Sequence, residues 1–305
     1  MQDLQSIPEM SRLLKSRVKG SDKQEGAGLE GMEVALTING MILSSGEPEK
    51  GIDNWCAAEN SLENFDRLLS ALKQNEMPPT VSFVSAPSLD PVIAERWVRS
   101  GNLIGSLAKK KFKGLKKDIQ VIIDHIMQND APLAPYWRMQ RSNQRYIRFP
   151  KLKTARDPQM REDLESFLKS RRYVEAPATI DARDSRFSQI YCASLERNEA
   201  PCASLVKQHF KSFLLDTSIR ARKAARKLAG REIKHILMIR ANQFSIDILA
   251  ELLAWYRGLG VRFITLEEAL SDPFYSLRDE KGRYYGKLVI NKVRRAQTLA
   301  ADSDE

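Results

Sequence analysis

The side chains that could carry acid–base or metal chemistry in this chain are few and widely spaced. The sequence holds three histidines, His125, His209 and His235. No two of them share one helical turn, the spacing at which paired ligands hold a metal. It also holds three cysteines, Cys56, Cys192 and Cys202. Their spacing includes no CxxC pair, so it predicts neither a disulfide framework nor a zinc ribbon.

Two carboxylates stand closer together, since Asp181 and Asp184 are three residues apart. Such a pair could act as the acid and base of a glycosidase. Nearby arginines would keep both carboxylates ionised, however, which disfavours this reading. The sequence lacks GxxxxGK[ST], GxGxxG and GxSxG motifs, so it gives no sign of phosphate-loop, dinucleotide or serine-hydrolase chemistry.

The composition fits a basic globular protein. Of 305 residues, 42% are hydrophobic, and 49 basic against 39 acidic residues give a net charge of +10. A polyanion is therefore a plausible partner, although a solvated basic surface explains the charge equally well. No apolar run reaches the ~18 residues of a transmembrane helix, and the first thirty residues do not resemble a signal peptide. The protein would be cytoplasmic as it stands, or extracytoplasmic if a leader was removed.

Apolar runs and helical patterns alternate regularly along the chain. Predicted strands cover residues 33–39, 80–85, 102–107, 145–149, 173–180, 235–240 and 261–265. Predicted helices cover residues 60–74, 90–100, 115–128, 157–170, 202–229, 245–258 and 266–270. This alternation indicates an α/β fold with a parallel sheet. Seven strands suit a barrel whose functional groups follow the strand C-termini. We expect a flexible lead-in at 1–31, the barrel at 32–275 and an extension with a polar tail at 276–305.

Six segments in order resemble motifs of the polysaccharide deacetylase family, the NodB-homology carbohydrate esterases. They are VALTINGM, SGNLIGSLAKKKF, RYIRFP, ATIDARDS, HILMIRAN and RFITLEEALSDPFY. The resemblance runs from about residue 33 to 275 and implies a distorted (β/α)7 barrel. It also implies the family's chemistry, in which a metal held by one aspartate and two histidines activates water, an aspartate acts as base and a histidine as acid.

The residues at the matching positions cannot do that chemistry. The base, metal-ligand and acid positions hold Asn39, Gly40, Leu107, Lys111 and Arg240. Ser185 stands where the family has a pocket tryptophan. Arg148, Phe149, Pro150, Asp181 and Asp184 match the family pattern. The resemblance therefore implies a catalytically inactive homologue with no catalytic metal and no cofactor.

The substituted positions suggest what the cleft does instead. The candidate ligand-binding residues are Asn39, Lys111, Arg148, Asp181, Asp184 and Arg240. We predict that Arg240 pairs with Asp184 or Asp181, because an unpaired buried arginine is costly. Alternatively, the cations bind a carboxylate or phosphate on a glycan, aided by the lysines at 109–117.

Three functions remain open. The first is binding of an acidic or N-acetylated glycan, or of a protein partner, in cell-envelope carbohydrate metabolism. The second is hydrolysis of N-acetyl amide bonds by a non-standard site that uses Asp181 or Asp184, and the third is a structural role beside an active paralogue. Nucleic acid is an unlikely partner, since no aromatic residues alternate with the cations.

Overall fold

The computed structural model describes residues 28–40, 61–108, 119–140, 142–149, 158–280, 282, 284–286 and 289–293. The lysine-rich stretch at 109–117, including Lys111, lies outside the described residues, as do Pro150 and the expected lead-in up to residue 27. The predictions that concern these residues therefore stay predictions.

Eight strands form a single parallel sheet, which confirms the predicted α/β class and barrel-like architecture. The strands are β1 (Glu33–Asn39), β2 (Val81–Val84), β3 (Leu103–Leu107), β4 (Arg145–Arg148), β5 (Tyr173–Glu175), β6 (Ile180–Asp181), β7 (His235–Arg240) and β8 (Arg262–Ile264). Their order is β5-β4-β3-β2-β1-β7-β6. Strand β1 is central, with five consecutive buried residues between half-buried ends, as expected for a strand covered on both faces.

Strand β1 has three partners. Strand β7 pairs along its whole length, whereas on the other edge β8 pairs with its first half and β2 with its second half. The register places Asn39 level with Phe83 and with Arg240. Three strand ends therefore lie side by side at one rim of the sheet.

The sheet is curled, and the chain passes from one edge to the other within a few residues. The segment predicted as a single strand at 173–180 is two short strands, β5 and β6, which lie at opposite edges of the sheet. The Ala176 N–H still donates to Ile147 of β4, whereas the Thr179 N–H donates to Ile236 of β7. Pro177 between them has no N–H for either ladder. The single-strand prediction was wrong here because the chain changes partners across Pro177.

Helices surround the sheet. They are α1 (Ser61–Gln74), α2 (Pro91–Arg99), α3 (Ile119–Asp130), α4 (Ala134–Met139), α5 (Pro158–Ser170), α6 (Asp184–Glu196), α7 (Ala200–Ala229), α8 (Gln243–Gly258) and α9 (Leu266–Leu270). Helices α4 and α6 were not predicted, while the others match the predicted segments closely. No helix among the described residues is both long and apolar enough to cross a membrane.

An aromatic cluster fixes α6 against its neighbours. The Phe187 ring lies 5.0 Å from that of Phe210 on α7 and 6.1 Å from that of Phe244 on α8. Near it, Cys202 is a free buried thiol. Cys192 is disulfide-bonded, a bond that the sequence did not predict. These contacts hold the start of α6, and hence Asp184, in place beside β7.

Candidate functional site: the mouth of the barrel

The C-terminal ends of the strands bring the predicted residues together at one end of the barrel. Asn39 ends β1, Leu107 ends β3, Arg148 ends β4, Asp181 ends β6 and Arg240 ends β7. Parallel strands place their carboxyl ends at the same rim, which is where barrels of this kind carry their ligands. We refer to this rim as the mouth.

Arg148 fills the interior of the mouth. Its side chain is 1% exposed, and its Nη1 donates to Asn39 Oδ1 at 2.8 Å. Its Nη2 donates to Thr37 Oγ1 at 3.0 Å and its Nε to the Ala176 carbonyl at 2.9 Å. The guanidinium also lies 4.0 Å from the centroid of the Phe83 ring. Arg148 thus joins the segment that follows edge strand β5 to the central strand β1.

Burial makes this arginine an unusual cation. Loss of water lowers the pKa of Arg148 to about 9, and the Asp181 carboxylate opposes that shift. A guanidinium with this pKa is still charged at neutral pH. Because an ionised, buried group without partners is costly, the three hydrogen bonds and the Phe83 face hold it in this position. Asn39, at the expected base position, serves here as an acceptor for Arg148.

The second half of the mouth is organised around Asp184, which is fully buried. Its Oδ1 accepts from Arg240 Nη1 at 3.0 Å, and its Oδ2 accepts from the Arg240 N–H at 2.6 Å. Asn242 Nδ2 and Ser245 Oγ donate to the same Oδ2 at 3.0 and 2.6 Å. Arg240 Nη1 also lies 3.8 Å from Asp181 Oδ1. The predicted ion pair of Arg240 with these aspartates is therefore confirmed.

The surroundings of Asp184 favour a carboxylate. Burial raises its pKa, while Arg240 and the hydrogen bonds from Ser245 and the Arg240 N–H oppose that rise. Arginine and amide N–H groups can only donate hydrogen bonds. A proton on either oxygen of Asp184 would therefore point at another hydrogen, which disfavours the protonated form. Asp184 is therefore an acceptor that anchors Arg240, and its complete burial keeps a substrate from its oxygens.

A backbone outlier turns both aspartates towards the mouth. Arg183, between the end of β6 and the start of α6, has φ +48°, the left-handed region that non-glycine residues rarely adopt. Its N–H donates to Asp181 Oδ1 at 3.1 Å. This turn starts α6 at Asp184 only three residues after Asp181, although the helix itself was not predicted.

Gly40 shows that the mouth's backbone depends on glycine. Its φ is +88°, and its N–H donates to the Phe83 carbonyl at 2.8 Å. A side chain there would be strained by about 1–2 kcal/mol, although only Ala241 would lie as close as 4.0 Å to the added Cβ. The position at which the family resemblance expects a metal-binding aspartate thus has a conformation that disfavours aspartate.

The donors present do not fit a metal ion of the kind that the resemblance implies. Asn39 Oδ1 is already bonded to Arg148, Gly40 has no side chain, and Leu107 is apolar. Among the described residues, no group of three or more His, Cys, Asp or Glu side chains could hold a metal. Hard dications require several oxygen ligands and zinc requires nitrogen, sulfur or oxygen donors. We derive no reaction step through a metal.

Both arginines of the mouth have protein partners. Arg148 is enclosed, and Arg240 is paired with Asp184 and Asp181. Two arginines against two aspartates leave these four side chains with no net charge (2 − 2 = 0).

Sequence reasoning missed part of the network. Thr37, Asn242 and Ser245 complete the hydrogen bonds of Arg148 and Asp184. Asn242 carried a usable signal, because it precedes helix α8 and accepts from the Ser245 N–H at 2.8 Å as an N-cap. The sequence carried no comparable signal for Thr37.

Comparisons with known proteins find distant structural likeness and no sequence match. No protein-family model and no curated protein matches the chain. Among solved structures, the chain is similar to a peptidoglycan N-acetylglucosamine deacetylase, with 15% identity, TM-score 0.48, and coverage of 78% of this chain and 87% of that one.

Two further structures are similar at the same level. A CE4 family pseudoenzyme from Bacillus anthracis has 13% identity and TM-score 0.48, with coverage of 79% of this chain and 66% of that one. The peptidoglycan deacetylase PdaC from Bacillus subtilis has 13% identity and TM-score 0.46, with coverage of 89% and 96%. At these values no residue role is transferred from them to this chain.

Proposed function

We propose that this protein is a polysaccharide deacetylase homologue that has lost the deacetylation chemistry and binds a glycan at the barrel mouth. One observation carries the proposal: the positions of the expected base and acid belong to two separate arginine networks, each with its own protein partners. Asn39 accepts from Arg148, and Arg240 is held by Asp184. In both networks the groups at the expected base and acid positions are already engaged with protein partners.

The charge of the mouth favours an N-acetylated glycan over an acidic one. The four charged side chains described there cancel, so a neutral sugar meets no uncompensated charge. Binding of a neutral glycan should depend weakly on salt, because screening acts on net charge. A strong salt dependence would instead point to the lysines at 109–117 and to an acidic ligand.

A metal-free hydrolase that uses Asp181 or Asp184 is the weaker candidate. A general acid must reach the bond that it protonates. Asp184 is fully buried, and both of its oxygens accept hydrogen bonds from protein donors. Asp181 is 6% exposed and lies near Arg240. These contacts favour a structural role for both aspartates.

The proposal is tested by calorimetric titration with N-acetylated chitooligosaccharides, together with an acetate-release assay with and without added zinc or cobalt. The expected result is binding without acetate release. Leu107→Glu, a change at the mouth, should weaken binding at least about tenfold, because it buries a charge against the ligand. Leu195→Glu is the matched control, since Leu195 is 38% exposed at the far end of α6.

Three results would contradict the proposal. Acetate release above the protein-free blank would mean that the mouth is catalytic. Equal effects of the two glutamate variants would place the ligand elsewhere. No binding of any glycan length would favour the remaining hypothesis, a structural role beside an active paralogue.

A further inference from the structure

A second titratable group lies buried behind the mouth, on the outer face of β3. Asp130 ends helix α3 and is 6% exposed. Neither of its carboxylate oxygens has a hydrogen-bond partner at normal bonding geometry, although the Ser106 hydroxyl lies near enough to offset part of the cost of burial. A buried carboxylate without partners loses its hydration without compensation, at a cost of several kcal/mol. The structure therefore tolerates Asp130 far better with a proton than without one.

Asn129, the residue before Asp130, hydrogen-bonds the end of α3 to the neighbouring segments. Asn129 Oδ1 accepts from the Ala86 N–H at 2.6 Å, and its Nδ2 donates to Ser106 Oγ at 2.8 Å. Ser106 belongs to β3 and immediately precedes Leu107 at the mouth. The end of α3 is thus fastened to the rim of the barrel, and Asp130 is enclosed beside that attachment.

Among the described residues, few charged groups lie around Asp130. Burial raises the pKa of Asp130 to about 7, while the Ser106 hydroxyl and, more weakly, the Arg145 guanidinium of β4 oppose that rise. Strand β3 and the 3-10 turns at 86–88 and 131–133 contain no titratable side chain. On α5, which also packs against α3, Glu165 is paired with Arg278.

Two other titratable side chains flank this corner on the neighbouring helical segments. His125 lies on α3 one turn before Asp130, where it is half-buried, and Arg138 is exposed on α4. Of the described cations, Arg145 is the one whose charge lowers the pKa of Asp130.

We propose that Asp130 is a proton-controlled latch between α3 and β3. When Asp130 is protonated, its carboxyl group stays buried between α3 and β3. The end of α3 then remains packed against Ser106. When the proton is lost, the carboxylate gains hydration by moving into water, and the end of α3 separates from the rim. The mouth therefore becomes more mobile on its β3 side as the pH rises through neutrality.

The sign follows from linkage. The closed form binds the proton of Asp130 up to about pH 7, whereas the open form releases it near the ordinary value of about 4. Closure is favoured at low pH and is lost as the pH rises through this window. Between pH 5 and pH 7 the equilibrium constant for opening should rise more than about tenfold.

Hydrogen exchange of the whole chain, corrected for the intrinsic effect of pH, measures that constant for peptides covering residues 119–139. The wild type should show the rise in these peptides and not in peptides from α8. Asp130→Asn should abolish it. Asp124→Asn is the matched control, because Asp124 is an exposed residue of the same helix, and it should leave the rise intact.

A second variant keeps the test decisive if Asp130→Asn folds poorly. Arg145 is exposed and favours the carboxylate form of Asp130. Arg145→Gln should therefore move the midpoint of the opening curve to higher pH. The latch is refuted if opening does not depend on pH in the wild type, or if Asp130→Asn and Asp124→Asn behave alike.

Discussion

His235 should make the folded protein sensitive to acid. It begins β7 and is fully buried, with Nδ1 3.1 Å from Thr179 Oγ1. Its Nε2 is enclosed without a hydrogen-bond partner. Burial lowers the pKa of His235 to about 3, helped by the Arg222 charge and opposed by Asp272. In the unfolded chain the same ring titrates near its ordinary value of about 6.5.

The sign of the effect follows from where protons bind. Between about pH 6.5 and pH 3 the unfolded chain protonates this histidine and the folded protein does not, so stability falls with decreasing pH. At pH 5 the solution is about 1.5 pH units below the pKa of this histidine in the unfolded chain. At 1.36 kcal/mol per unit, His235 should cost about 2 kcal/mol of unfolding free energy relative to pH 8.

Urea unfolding of the wild type and of His235→Leu at pH 8 and pH 5 measures this term. Every other titrating group is present in both proteins, so the difference between their pH dependences isolates the histidine. The wild type should lose about 2 kcal/mol more than the variant between the two pH values. His235→Gln repeats the test with a polar side chain. Equal losses in wild type and variants would refute the reasoning.

Two further substitutions test the packing of the barrel. Asp184→Asn should lower the unfolding free energy by about 3–5 kcal/mol in urea titrations, because it removes the charge that several buried donors require. Asp216→Asn is the control: Asp216 is exposed, so its loss should cost under about 1 kcal/mol. Gly105→Ala should cost about 1–3 kcal/mol in thermal unfolding, since its Cβ would lie 2.7 Å from the Phe83 ring. Gly258→Ala, whose added Cβ meets nothing within 4 Å, should be tolerated.

The placement of the mouth was predictable from sequence. Apolar runs predicted strands β1, β3, β4 and β7, and the family resemblance singled out one residue near the end of each. Because parallel strands share a rim, Asn39, Leu107, Arg148 and Arg240 had to meet there. The strand ladder confirms their placement at one end. The pairing of Arg240 with an aspartate was predictable from the cost of burying an unpaired charge.

Other features required the folded structure. Strands β5 and β6 read as one apolar run, since local pattern does not reveal that the chain changes partners at Pro177. Helix α6 has buried polar residues such as Ser188 and Ser194 on its packed side, which weakens the apolar periodicity that predicts helices. The hydrogen bond from Arg148 to Asn39 and the burial of Arg148 are visible only in the folded structure.

The sequence by itself determined the α/β class, the order of the strands along the chain and the residue types at the mouth, because these follow from local apolar periodicity and strand ends. The tertiary structure alone decided the environment of each charge. Arg148 reaches Asn39 across 109 residues and Asp184 reaches Arg240 across 56. The burial of His235 Nε2 and of the Asp130 carboxylate away from well-placed hydrogen-bond partners is likewise a property of long-range packing. Burial and hydrogen-bond partners over such separations arise only when the sheet closes, and they set the pKa values on which the predictions depend.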